Sequence, residues 1–114
     1  MTLDEIIHKL DLNVLTDNKD FSEVTPTFGY ASDLLSCVMA GAKGHGVWVT
    51  LQSHVNIVAV AALLELSAVI ITEGATPEQS TLDKANEQGI CLLSTDQPTF
   101  AVAGKLWELG LRDQ

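Results

Sequence analysis

The sequence predicts an α/β fold: a parallel or mostly parallel sheet of four to five strands with helices on both faces, built from repeated βα units in the C-terminal two thirds. Three observations predict it. Val47-Trp48-Val49-Thr50-Leu51, Ala68-Val69-Ile70-Ile71-Thr72 and Ile90 to Leu93 are continuous apolar runs. They lack the alternation of a half-exposed sheet, as strands covered on both faces do. The runs start 21 and 22 positions apart, which leaves room for one helix between neighbours and therefore for right-handed parallel crossovers. The segments that follow them, His54 to Leu66, Pro77 to Gln88 and Gln97 to Leu109, read as helices, the last ended by Gly110.

The elements follow in order. Thr2 with Glu5 three positions on has the form of a capping box, and Leu3, Ile6, Ile7 and Leu10 then recur at helical spacing, so a first helix runs from Leu3 to Leu10. Asn13-Val14-Leu15 reads as a short strand, broken by the polar turn Thr16 to Asp20. Val24 to Tyr30 contains Pro26 and Gly29, which suit an edge strand or an irregular extended piece but not a central strand. Ser32 is placed to cap a helix with Asp33 in its first turn and Leu34, Leu35, Val38 and Met39 as its buried stripe, ending at Gly41. Gly41, Gly44 and Gly46 shape the loop before the first regular strand. Thr76, Pro77 and Gln79 fit the N-cap, N1 and N3 positions of a later helix.

With 114 residues the chain is the size of one domain, 1–114, and 46% apolar residues against 18% charged suffice for a packed core. Six Lys+Arg against fifteen Asp+Glu give a net charge of −9. So acidic a surface repels phosphate backbones and anionic headgroups, and we expect neither a nucleic-acid nor a membrane partner. The most apolar stretch, Val55 to Leu64, is interrupted by Asn56 and falls far short of the ~20 residues of a membrane span. The N-terminus opens with Asp4 and Glu5 and shows no secretory signal, so a cytoplasmic location is expected. Cys37 and Cys91 lie among apolar neighbours, outside any CxxC pair, and read as buried reduced thiols.

Motifs for chemistry are scarce. Gly41-Ala42-Lys43-Gly44-His45-Gly46 has the composition of a P-loop without its order, and it precedes a strand. Gly44-His45-Gly46 lacks the third glycine and the following helix of a dinucleotide fingerprint. His8, His45 and His54 have no partner at metal-ligand spacing, so no metal and no cofactor is expected. Ser53 and His54 are neighbours on a helix start and do not face each other as nucleophile and base must. Trp48 and Trp107 suit core or interface packing.

Ligands of open α/β sheets bind where the strands end. Here that edge gathers the turns Gln52-Ser53-His54, Thr72-Glu73-Gly74-Ala75-Thr76 and Ser94-Thr95-Asp96-Gln97. The candidate ligand-binding residues are Gln52, Ser53, His54, Thr72, Glu73, Gly74, Ser94 and Thr95. Each turn feeds a helix whose free N–H groups favour a small anionic ligand, although the same residue types also serve plain N-caps. Glu73 opposes an anion unless it faces away or binds through a metal.

Several segments together resemble the DRTGG domain family: Gly29-Tyr30-Ala31-Ser32-Asp33-Leu34-Leu35-Ser36, Val55-Asn56-Ile57-Val58-Ala59-Val60-Ala61, Ile70-Ile71-Thr72-Glu73-Gly74, and Leu92-Leu93-Ser94-Thr95 with Thr99-Phe100. The resemblance spans nearly the whole chain. It departs where Asp-Arg is missing near Gln52-Ser53-His54 and where Thr-Gly-Gly stands as Thr72-Glu73-Gly74. It implies a regulatory α/β module similar to the N-terminal domain of HPr kinase, of a kind attached to CBS domains, phosphotransacetylases or regulated pyrophosphatases, without catalysis of its own. The functional expectation is therefore a non-catalytic regulatory or scaffold module that homodimerises and senses a small anionic metabolite or nucleotide. Val58, Ala62 or Trp107 are the residues expected in the dimer contact, because Val55 to Leu64 is apolar nearly all round. The alternative is a small enzyme or phosphotransfer partner acting through Asp33, His54 or Thr72.

Overall fold

The computed structural model describes residues 1–17 and 20–112. The chain runs α1 (Leu3–Leu10), β1 (Asn13–Val14), β2 (Gly29–Ala31), α2 (Leu35–Gly41), β3 (Val47–Thr50), α3 (Asn56–Leu63), β4 (Ala68–Ile71), α4 (Gln79–Gln88), β5 (Leu92–Ser94) and α5 (Thr99–Glu108). One sheet has the order β1-β5-β4-β3-β2. All neighbours are parallel except the antiparallel pair β1 and β5.

Alternate residues of each central strand point to opposite faces, and both faces are closed by helices. On one side Val47, Val49, Ala68, Ile70 and Leu93 pack with Leu3, Ile6 and Leu10 of α1 and Val102 and Leu106 of α5. On the other, Trp48, Val69, Ile71 and Leu92 pack with Val38 of α2, Ile57, Val58 and Ala61 of α3 and Ala85 of α4. Every residue of β3 and β4 is buried, which is why these strands show no alternation in the sequence. Trp48 is fully buried, and its Nε1 donates to the carbonyl of Ser32 at 2.8 Å, tying the middle of β3 to the end of β2.

The capping box of α1 forms as read: Thr2 Oγ1 accepts from the Glu5 amide and the Glu5 carboxylate accepts from the Thr2 amide. The Glu5 carboxyl is held below its ordinary range by the Thr2 backbone N–H first and next by the Thr2 hydroxyl, which donates to the same carboxylate oxygen at 3.2 Å. Other readings need correction. Asp33 is outside α2, whose N-cap is Leu34 with no side-chain cap. The Ser32 hydroxyl accepts from the Leu34 amide, and the Asp33 carboxylate turns away to the next strand's turn. Of the stripe assigned to that helix only Val38 is buried, while Leu34 and Met39 are exposed. The helix after β4 starts at Gln79 with Glu78 as N-cap, two positions beyond the expected start, because Thr76 and Pro77 stay in the connecting turn. Cys37 is exposed, not buried; Cys91 is buried as expected, and desolvation pushes its thiol up to about 12 despite the Thr16 hydrogen bond. Val58 is fully buried against the sheet and contributes to the core instead of a dimer contact, whereas Trp107 is 57% exposed.

Candidate functional site

The C-terminal ends of β2, β3, β4 and β5 lie along one edge of the sheet, and the turns after them form the candidate site. Asp33, just past β2, organises the first part. Its Oδ1 accepts from the Thr50 hydroxyl at 2.8 Å and from the Leu51 amide at 2.8 Å, while Gln52 Nε2 donates to the Asp33 carbonyl at 3.0 Å. Gln52 is therefore spent on holding the β3 turn against β2. The Ser53 carbonyl accepts from the buried Thr81 hydroxyl of α4 at 3.1 Å, and His54 Nδ1 accepts from the Asn56 amide at 3.1 Å, capping α3 with a ring nitrogen. The ring of His54 and the hydroxyl of Ser53 remain at the surface of this turn, the first exposed and the second half-buried.

The β4 turn is built differently. Thr72 is fully buried; its hydroxyl shares a 2.6 Å hydrogen bond with the Thr99 hydroxyl and lies 3.4 Å from the Thr50 carbonyl. Glu73 and Gly74 both take left-handed backbone, with φ of 61° and 72°. That conformation is free for glycine and costs another residue roughly 1–2 kcal/mol. It turns the two amides toward the β5 loop, where they donate to the carbonyls of Gln97 and Thr95. The Glu73 side chain then reaches the start of α5, whose N-cap Pro98 offers no side-chain acceptor, and accepts from the Thr99 amide at 2.8 Å. A carboxylate thus already sits where the α5 dipole would favour an anion. In the β5 turn the buried Thr95 hydroxyl accepts from both the amide and the Nε2 of Gln97, and that Nε2 also donates to the Leu10 carbonyl at 2.8 Å. Ser94 ends β5, half-buried, opposite Asn13 of β1.

The eight candidate residues are thus brought to one edge, in two kinds. Gln52, Thr72, Glu73 and Thr95 hold the turns together; His54 is exposed with its Nδ1 on the Asn56 amide, and Ser53 and Ser94 are half-buried, their hydroxyls bonded to no described residue. Gly74 supplies the turn, and a Cβ there would lie 3.3 Å from Asp96 Oδ1. Asp33 and Thr99 are the members that sequence reasoning missed as part of this network. Their trace in the sequence is faint: a helix opening on Pro98 without a capping side chain needs an acceptor from elsewhere. Among the described residues no three His, Cys, Asp or Glu side chains gather into a group that could hold a metal ion, and no helix is long and apolar enough to cross a membrane. Two clefts border this edge or lie near it, the larger with Val55 and Asn56, next to the Ser53-His54 turn, in its lining. One of ≈ 120 Å³ separates β2 from α5, and one of ≈ 400 Å³ lies between α3 and α4.

Against known proteins, the family model described as DRTGG domain matches residues 5–109. No curated protein matches. A solved structure of the CBS and DRTGG domains of the regulatory region of Clostridium perfringens pyrophosphatase, complexed with its activator diadenosine tetraphosphate, superposes with a TM-score of 0.73 at 18% identity. The match covers 97% of this chain and 46% of that one, so this chain spans less than half of its neighbour's length and the likeness is one of fold.

Proposed function

We propose, on the premise that this chain belongs to the DRTGG domain family, that it is a regulatory α/β module without catalysis of its own, working as a homodimer and responding to a small anionic metabolite or nucleotide. The observation that carries this reading is the family match over residues 5–109, which leaves only short terminal segments outside it. Two further observations support it. The side chains that a phosphotransfer reading would use have structural duties, Asp33 holding the β3 turn and Thr72 buried against Thr99. The similar pyrophosphatase region was solved with a dinucleotide activator, which makes a nucleotide the first ligand to try.

Within the edge, Glu73 on the α5 start directs an anion away from β4 and β5 and toward the β3 turn, where Ser53 and His54 face outward beside the start of α3. The test is a thermal-shift panel of nucleotides and phosphorylated metabolites, diadenosine tetraphosphate included. A ligand at ten times its Kd adds about 1.4 kcal/mol, several degrees in Tm for a chain of this size. The rise should be saturable and should disappear in a Ser53→Ala/His54→Ala variant whose own Tm is close to wild type. A panel without any response would defeat ligand sensing.

A further inference from the structure

The two open edges of the sheet are treated differently. At one, β1 is a two-residue strand whose Asn13 and Val14 are both exposed and which ends in a polar turn. At the other, β2 reads Gly29-Tyr30-Ala31, with no charge and no proline within it. Natural edge strands are ordinarily blunted by shortness, charge, proline or a cover; β2, at three residues, has the first of these but neither a charge nor a proline.

The β2–β3 register fixes what this edge offers. The Phe28 carbonyl accepts from the Val47 amide, and the Ser32 amide donates to the Val49 carbonyl, so residues 28, 30 and 32 bond inward to β3. By the parallel ladder's alternation, the N–H and C=O groups of Gly29 and Ala31 point outward, and they bond to no described residue. The layers on either side of this edge are largely apolar, the Arg112 guanidinium standing 5.2 Å from the centroid of the Trp107 ring. Trp107 and Ala103 of α5 line the ≈ 120 Å³ cleft with Gly29, Tyr30 and Ala31, and no charged residue lines it. Phe100, one heptad from Trp107 and so on the same helix face, is 91% exposed. On the opposite face α2, which follows β2, exposes Leu34 and Met39.

We propose that a second copy of this chain docks here, β2 against β2 antiparallel about a two-fold axis at Tyr30, with α5 meeting α5 below the joined sheet and α2 meeting α2 above it. The proposal rests on the homodimer reading and supplies its surface. Two arguments select a second copy over another partner. The outward groups are self-complementary: rotation about Tyr30 sets Gly29 of each copy opposite Ala31 of the other, which closes four backbone hydrogen bonds in one register. Charge permits it, because two chains of net charge −9 meet only where carboxylates are absent, and this register sets Asp33 opposite Thr27 instead of a second carboxylate.

The test is sedimentation velocity at micromolar concentration with amide exchange read at β2. Wild type should sediment at twice the chain mass, and Trp107→Glu, a change at an exposed position, should sediment as a monomer with an unchanged circular dichroism spectrum. Leu63→Glu, on the outward face of α3 and 67% exposed, should remain dimeric. Gly29 and Ala31 amides of wild type should exchange at least about tenfold more slowly when concentration is raised through the dimer transition, a readout that needs no variant. Dissociation by Leu63→Glu would move the contact to α3, overturning this surface while leaving self-association intact. Freely exchanging Gly29 and Ala31 in a dimer would overturn it equally, and a wild-type monomer would remove both the surface and the homodimer.

Discussion

Helices α1 and α5 lie on the same face of the sheet, yet their starts are secured in opposite ways. The side-chain capping demand at the N-terminus of α1 is met within four residues, Thr2 and Glu5 serving each other, while the Leu3 amide donates further off, to the Val24 carbonyl. That of α5 is satisfied by Glu73, 26 positions earlier and in another turn. The first is a local device that would operate in an isolated peptide. The second exists only once β4, its left-handed turn and the β5 loop are assembled. The comparison extends along the strand-end edge, where Asp33, Thr72 and Thr99 all bond across turns distant in sequence.

Variants can sharpen or break this contrast. Asp33→Ala should have the largest effect, about 1–3 kcal/mol in chemical unfolding, because it leaves the buried Thr50 hydroxyl and the Leu51 amide without their acceptor. Asp33→Asn, which keeps an oxygen in place, should cost less than half as much, and Asp33→Ala should show a clear coupling to Thr50→Val in a double-mutant cycle. Simple additivity would mean that the edge is no network. Thr2→Ala should cost about 1 kcal/mol, with faster amide exchange confined to the first turn of α1. Glu73→Ala should also cost about 1 kcal/mol, but its faster exchange should appear at Thr99 and across the β4 turn together. Glu73→Gly should fall nearest to zero, since relief of the left-handed backbone, roughly 1–2 kcal/mol, offsets the lost cap. Equal losses for the alanine and glycine variants would show that the strain at residue 73 is not stored.

Acid provides a smaller probe of the local device. The Glu5 carboxyl is held below its ordinary value of 4.5. Its contribution is therefore complete above that value and fades as pH falls through the folded-state value. The stability difference between wild type and Thr2→Ala should accordingly narrow on acidification, as a pH series of urea titrations can check. The smallest effect concerns the thiols: at neutral pH a thiol reagent should label Cys37 alone in the native chain, Cys91 being both buried and pushed up to about 12.

This contrast also explains which elements were legible. The α1 box, the apolar runs of β3 and β4 and their parallel order depend on neighbours in sequence or on burial, and all were readable. The start of α2 was not, because Ser32 and Asp33 look like a cap and its acidic companion but bond instead to the Leu34 amide, two residues on from Ser32, and to β3. Thr76-Pro77 misled in the same way, carrying start signals that the turn holds two residues short of α4. The exposure of Cys37 and Met39 follows from the place of α2 over an edge strand, which composition does not encode. At the candidate site the residues were readable as a group, while their division into turn-holding and outward-facing members required the hydrogen bonds.

The close approach of Tyr30 to Gly41 has a steric meaning. A methyl group at position 41 would lie 2.6 Å from Tyr30 Cε1, so the ring fills the space beside the last turn of α2. The bare Cα of Gly41 is thus the seat of the ring: α2 ends where the side chain of the edge strand lies against it, and a larger residue there would have to push the half-buried Tyr30 ring aside.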